Sequence, residues 1–304
     1  MNGVVDTEVD EALVEDRLPI REISRETGVN TVTLRAWERR YGLLIPQRTT
    51  KGHRLYSRAD IERVKEIQLW LGRGLAISKV KALLADEQRA ESMPQIDSIW
   101  LELAQQIQTA ITACNRNQLE RLIEDTFALY PSPMIADYLL LPLLADLQGN
   151  EPGRPMRRAF FTAVLQEYIQ ASQNRQRQAA NGEKILVLSA APDEEQLVPL
   201  LLTYGLLVNQ HNADYLGYLG AKESLLCAEA FKAKILVIMG GEAVNTSELQ
   251  LHLSLWRSFS AMPVVLVGNA VRLVPALSPE LATGVRPCDN QQQVLVTINQ
   301  LLKG

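Results

Sequence analysis

Four short apolar runs in the last third of the chain restrict the fold more than any other feature. They are KILVLSA at 184–190, DYLGYLG at 214–220, AKILVIMG at 233–240 and PVVLVGN at 263–269, and a weaker run, TGVRP, follows at 283–287. Stretches with the length of helices separate or follow them, at 194–208, 221–231, 246–259 and 291–302. Strands that alternate with helices predict a doubly wound α/β domain of the flavodoxin or Rossmann type, with a parallel sheet of about five strands.

Ligands of such sheets bind beyond the carboxyl ends of the strands, where the strand order switches. In this chain the predicted edge consists of Ala190 to Glu194, Gly240-Gly241-Glu242 and Gly268-Asn269. The glycine pair is weak evidence for a ligand, because a tight turn from strand to helix uses glycine in any case.

The middle of the chain, residues 97–174, predicts a four-helix bundle. Apolar residues recur there at helical spacing, with short connections, in four stretches: Trp100 to Ile111, Leu119 to Phe127, Met134 to Leu147 and Phe160 to Ile169. Polar linkers are predicted on both sides, at 88–96 and 174–182, so the α/β domain would occupy residues 183–304.

The N-terminal region, residues 18–87, predicts a helix-turn-helix followed by a basic hairpin. Helices are predicted at 19–28 and 31–40, joined by a turn that contains Gly28. The hairpin turns at Thr50-Lys51-Gly52. Ser57, with Asp60 three residues later, predicts a capping box at the start of a third helix, and a fourth helix is predicted from Ser78.

A short basic helix followed by a basic hairpin suits a duplex, because the helix can enter the major groove while the hairpin lies along the backbone. The side chains predicted to contact DNA from the helix are Thr31, Thr33, Arg35, Trp37, Arg39 and Arg40. Those predicted from the hairpin are Arg48, Lys51, His53, Arg54 and Tyr56. For Trp37, packing in a small core is at least as good an interpretation. Leu34, Leu43 and Leu55 are assigned wholly to that core.

Charge is distributed unevenly along the 304 residues, whose net charge is −4. Residues 1–16 carry a net charge of −6, residues 17–89 carry +8, and the remainder carries −6. A basic block between acidic blocks is typical of a surface that binds a polyanion, and here it coincides with the helix-turn-helix and hairpin.

The remaining composition bounds the compartment. The first 17 residues are acidic and predict a flexible tail rather than a signal peptide. No apolar run has the length of a membrane span, which is roughly 18–20 residues. The three cysteines, Cys114, Cys227 and Cys288, show no metal-ligand spacing. These features predict a cytoplasmic protein without a membrane partner or a structural zinc.

Residues 18–84 resemble the winged-helix domain of MerR-type transcriptional regulators. The resemblance rests on the TLR-W-E core of the second helix, the YGLL-P-R entry to the hairpin, or wing, and the G-HRLYS-D-I junction with the third helix. The stretch LRAWERRYGLL is closest to the subgroup of light-dependent carotenoid-type repressors and curli-type activators. The resemblance implies a dimeric, sequence-specific regulator that binds promoter or operator DNA.

The order of bundle and α/β domain resembles the cobalamin-dependent photoreceptor repressors of the CarH and LitR kind. That family has an acidic-x-His-xx-Gly motif after the first strand, whose His ligates cobalt. Here Glu195 stands in place of the His and Val198 in place of the Gly. The bundle residues that cover the corrin are replaced by Glu151 and by Phe161-Thr162. A carboxylate is a poor substitute for an imidazole at cobalt.

We therefore expect no cobalamin, no other cofactor, no metal and no enzymatic activity. His211, whose polar neighbours predict a solvated turn, is a remote alternative ligand. Family members without the His take their signal from another protein, which implies a signalling partner here, although a different small molecule at Gly240-Gly241 stays open. The alternatives are a cobalamin-binding light-responsive repressor, a corrinoid enzyme module and an interaction protein with a degenerate head.

Overall fold

A computed structural model describes residues 17–85, 98–178, 180–192, 196–241, 244, 246–259 and 262–302. The predicted acidic tail, apart from Arg17, and the predicted linker at 88–96 lie outside the described residues, as does Glu195. The described parts form a small N-terminal domain, the head, followed by a helical bundle and a C-terminal α/β domain, which together form the tail.

The head contains a three-stranded antiparallel sheet and four α-helices. The strands are β1 (Leu18–Pro19), β2 (Gln47–Arg48) and β3 (Arg54–Tyr56), with β3 in the centre. The helices are α1 (Ile20–Thr27), α2 (Thr31–Ala36), α3 (Arg58–Gly72) and α4 (Ile77–Leu84), and a π-helical turn, Trp37–Tyr41, extends α2. The Ser57–Asp60 capping box predicted at the start of α3 is confirmed, because each side chain bonds the other residue's backbone N–H.

The bundle is built from α5 (Ile99–Thr112), α6 (Arg116–Leu129), a bent third helix and α9 (Arg154–Arg177). The third helix comprises α7 (Ser132–Ile135), a π-helical turn (Ala136–Leu140) and α8 (Leu141–Asp146). The linker predicted at 174–182 is wrong in its first four residues, because α9 continues through Arg177. Arg175 in the last turn donates to the Ser172 hydroxyl, and Gln173 is buried and donates to the Leu200 carbonyl.

The C-terminal domain is the predicted parallel sheet. Its strands are β4 (Lys184–Ser189), β5 (Asn212–Tyr218), β6 (Ile235–Gly240), β7 (Val264–Gly268) and β8 (Val285–Cys288), in the order β5-β4-β6-β7-β8. The helices of this domain are α10 (Leu197–Val208), α11 (Ala221–Ala230), α12 (Thr246–Phe259), α13 (Pro279–Ala282) and α14 (Gln291–Leu301), which follows the last strand. A 3-10 segment, Asn269–Ala276, and the short α13 were not predicted. The order switches direction beside β4, which gives a doubly wound sheet.

The head packs directly on the tail. Buried apolar side chains form one continuous cluster that runs from Ile23 in the head through Phe161 in the bundle to Leu201 on α10. Trp100 Nε1 donates to the Leu71 carbonyl of the head over 2.8 Å. Asn299 of α14 donates to the Arg25 carbonyl of α1, also over 2.8 Å. These contacts hold the head in a defined position relative to both parts of the tail.

Candidate nucleic-acid interface

The second helix of the helix-turn-helix, α2, begins with a well-formed N-terminal cap. The Asn30 side chain accepts hydrogen bonds from the backbone N–H groups of Val32 and Thr33. Its amide also donates to the Thr33 hydroxyl over 3.0 Å. Thr33 is fully buried, so its predicted contact with DNA is wrong and its hydroxyl instead supports the cap. Thr31, at the first position of α2, is half-buried.

Trp37 also lies inside the protein and not on the surface. Its side chain is fully buried, and its indole N–H donates to the Leu129 carbonyl at the end of α6 over 2.8 Å. The predicted DNA contact of Trp37 is therefore wrong, and the alternative, packing in the core, is correct. The π-helical turn ends at Gly42, whose φ of 57° lies in the left-handed region that glycine adopts without strain.

The wing is tied to the end of the recognition segment, α2 with its π-helical turn, by one carboxylate. Glu38 accepts a hydrogen bond from Arg54 Nε at 2.5 Å and another from Arg48 at 3.3 Å. The hydrogen bond to Glu38 raises the pKa of the Arg54 guanidinium, which stays cationic. Sequence reasoning missed Glu38, because an acid in a basic segment carries no pattern of its own.

Strand β3 faces the opposite way from the prediction. Tyr56 is fully buried while Leu55 is half-exposed, so Tyr56 belongs to the head core and its predicted contact with DNA is wrong. Burial raises the pKa of the Tyr56 hydroxyl to about 12. Leu34 and Leu43 are buried, as predicted.

Three arginines of the helix and wing share one surface. Arg35 and Arg39 of the recognition segment and Arg54 of the wing line a single concavity together with Val32. Val32 is 56% exposed and was not predicted to lie in the site. Arg40, Arg48, Lys51 and His53 are also exposed. A basic, concave surface between a helix and a hairpin can accept the phosphates and base edges of a duplex.

Two glycines at the carboxyl edge of the C-terminal sheet are used for packing within the protein. A Cβ atom built on Gly240 would lie 2.2 Å from the Ala270 backbone nitrogen, and one on Gly268 would lie 2.7 Å from the Gly240 carbonyl oxygen. Because neither glycine has a side chain, the 3-10 segment Asn269–Ala276 can pack closely against the strand ends. The backbone of Gly240 is thus in contact with this segment, whereas Gly268 stays exposed.

None of the three histidines is placed to ligate cobalt at that edge. His211 precedes β5 at the amino end of the sheet, and it is buried, so the predicted solvated turn is wrong. The ring nitrogens of His252 lie 3.0 Å and 2.9 Å from the carbonyl oxygens of Glu248 and Leu219, so a neutral ring donates to one carbonyl and packs its other nitrogen against the second. His53 lies next to the wing strand β3.

The described residues contain no cluster of three or more histidine, cysteine, aspartate or glutamate side chains that could hold a metal. Within the same ranges, no helix combines the length and apolarity needed to cross a membrane.

A helix-turn-helix, a basic wing and a concavity lined by arginines define the class of winged helix-turn-helix proteins. The chain belongs to the MerR family of that class. Residues 18–87 match the MerR HTH family regulatory protein model. The mercuric resistance operon regulatory protein of Bacillus cereus is 31% identical over 108 residues, which are 35% of this chain and 80% of that relative.

Two further relatives extend the similarity beyond the head. The HTH-type transcriptional regulator MlrA of Escherichia coli strain K12 is 37% identical over 150 residues, which are 49% of this chain and 60% of MlrA. The HTH-type transcriptional repressor CarH of Myxococcus xanthus is 27% identical over 193 residues, which are 57% of this chain and 61% of CarH. The chain thus spans about 60% of the length of either relative.

Proposed function

We propose that the protein is a sequence-specific DNA-binding regulator of transcription that acts as a homodimer. The observation that carries this proposal is the shared concavity of Arg35, Arg39 and Arg54. Helix and wing cations on one surface can contact a duplex simultaneously, whereas cations on unrelated faces could not. The description of the relatives MlrA and CarH as transcriptional regulators supports the same interpretation.

Within this surface, Arg35 is the best candidate to read a base. It is exposed in the middle of α2, and an arginine that enters the major groove can bond the O6 and N7 acceptors of guanine. Arg48, Lys51 and His53 are exposed on or beside the wing and are assigned to phosphates, which fix position without reading sequence. Thr31, Arg39 and Arg40 complete the proposed contact set.

Dimerisation follows from the small size of this surface. One head offers few base contacts, and regulators of this class bind paired half-sites through a two-fold axis. The third helix, α3, and the bundle are the proposed dimer surfaces.

The tail is proposed to receive a signal without cobalamin. The close packing of the 3-10 segment on Gly240 and the positions of the histidines support this interpretation. The source of the signal, whether a protein partner or another ligand, stays a prediction. Retention of a corrinoid absorption spectrum after incubation with hydroxocobalamin and gel filtration would contradict a tail without cobalamin.

DNA binding can be tested with alanine substitutions in the full-length protein. A duplex enriched from random sequences by the wild-type protein serves as the operator. Arg35→Ala should weaken binding by about 1–3 kcal/mol if Arg35 reads a base. Arg54→Ala should also weaken it, since Arg54 anchors the wing. Arg272→Ala, which removes an exposed arginine from the 3-10 segment of the α/β domain, is the matched control. Wild-type affinity in both head variants would refute the proposal.

A further inference from the structure

A second concavity adjoins α2 on the side of Arg35 away from the wing. We name it the junction concavity, and its lining residues are Ile20, Arg21, Thr31, Arg35, Gln176, Leu207, Val208 and Gln210. The first four belong to the head and the last four to the tail. Arg35 lines both this concavity and the one shared with the wing. The tail therefore begins where the proposed duplex surface of α2 ends.

The charge of the junction concavity suits a polyanion. Its lining includes two guanidinium groups, from Arg21 and Arg35, and no carboxylate. The amides of Gln176 and Gln210 can donate to phosphate oxygens, as glutamine side chains do at DNA backbones. A tail that held Arg35 in place of DNA would need to present an acid at this position, and the lining presents none.

The position of the tail is fixed by hydrogen bonds close to this surface. Asn299 of α14 donates to the Arg25 carbonyl of α1, and Trp37 donates to the Leu129 carbonyl of α6. A duplex that docks on α2 therefore meets the tail in a defined place. The major groove is about 12 Å wide, with a phosphate backbone on each side. Since Arg35 lines both concavities, we place the second backbone over the junction concavity when the wing lies along the first.

We propose that the duplex surface extends from the head onto the tail, and that Gln176 at the end of α9 contacts a backbone phosphate together with Arg21. This inference rests on the proposed function and adds a specific role for the tail. The tail would then act on DNA binding directly, through a contact of its own. A change in the tail that displaced the end of α9 would alter affinity without rearranging α2.

The test uses a pair of charge substitutions in the full-length protein and a mixed-sequence duplex, on which binding is purely electrostatic. Gln176→Glu should weaken binding. Gln176→Lys should tighten it and should steepen the dependence of log K on log salt by about 0.9, the contribution of one phosphate contact. Gln300→Glu and Gln300→Lys introduce the same charges on the exposed surface of α14, at a residue that lines neither concavity, and they are the matched controls.

Three outcomes decide whether Gln176 contacts a phosphate. Gln176 variants that differ from the Gln300 variants in the expected directions support the contact. Equal behaviour of the two pairs overturns it, and tighter binding by Gln176→Glu overturns it in favour of a tail that obstructs the duplex. Thermal melting of each variant identifies any loss of folding, and if the Glu variant unfolds, the Lys variant with its salt dependence decides alone. Weaker binding by Arg35→Ala, with equal behaviour of the Gln176 and Gln300 pairs, would remove this inference and leave the proposed function standing.

Discussion

Glu38 holds the wing of this protein through Arg54, whose Nε lies 2.5 Å from the Glu38 carboxylate. The same carboxylate accepts a second bond from Arg48. One acid at the end of the recognition segment thus orients two cations of the wing and cancels part of their charge. This relationship predicts opposite effects on general and on specific DNA binding.

Glu38→Gln should tighten binding to a mixed-sequence duplex and weaken discrimination in favour of the operator. The head would lose one negative charge, which favours phosphate contacts of any sequence. The wing would lose its charge-assisted bonds and hence its fixed position. Fluorescence anisotropy with both duplexes measures the ratio of affinities. An equal change on both duplexes would show that Glu38 does not position the wing. Glu280→Gln, which removes an exposed acid from α13, controls for the change in net charge.

Trp37→Phe should destabilise the protein by about 1–3 kcal/mol, because it leaves the Leu129 carbonyl without its donor and removes part of a buried ring. Urea unfolding followed by circular dichroism measures the change. Since this bond joins the head to α6, the variant should also expose the head to proteolysis before the bundle. A wild-type unfolding midpoint would argue against the bond.

Asp137 should make the protein less stable as the pH rises from about 4 to about 6. Burial raises the pKa of this carboxyl to about 6, partly offset by hydrogen bonds from the backbone N–H groups of Gln291 and Gln292 at the start of α14. The folded state therefore binds a proton more tightly than the unfolded state, and stability is lost on deprotonation. Asp137→Asn should remove this dependence and be more stable at pH 8, by on the order of 1–2 kcal/mol. The prediction would be contradicted if the melting temperatures of the two proteins changed equally with pH between pH 4 and pH 8.

His211 should act in the opposite direction. Burial is the main cause that lowers the pKa of its imidazole to about 4, while the Asn299 side chain acts in the opposite direction and the charge of Arg25 in the same direction. The unfolded state therefore takes up a proton first as the pH falls below about 6.5, and stability falls with it. His211→Gln should lose this sensitivity, so the variant gains on the wild type by on the order of 2–3 kcal/mol towards pH 4. The measurement is the unfolding free energy of the variant and of the wild type at pH 7 and at pH 5. The same difference between the two proteins at both pH values would contradict the prediction.

Periodicity predicted the order of the elements well, because the described helices and strands bury long apolar faces. The strands of the α/β domain and the capping box at Ser57 needed no knowledge of tertiary contacts. The choice of which face of β3 is buried did need such knowledge. A strand of three residues offers two faces, and the sequence alone could not show that the pocket under β3 holds Tyr56 and not Leu55.

The sequence predicted only the part of the candidate site that depends on local structure. The position of the basic helix is enough to predict that its arginines are exposed, and Arg35 and Arg39 are exposed. Trp37 and His211 are buried by partners far away in the chain, Leu129 and the edge of α14 respectively, and no local pattern reveals such partners. Gln176 was assigned to a linker, so its place beside α2 emerged only from the fold.

The 3-10 segment that packs on Gly240 has a consequence for protein engineering. Because Ala270 packs directly against Gly240, a side chain introduced at residue 240 would displace residues 269–276. Designers who vary the carboxyl edge of this sheet would have to keep Gly240 or rebuild that segment together with it.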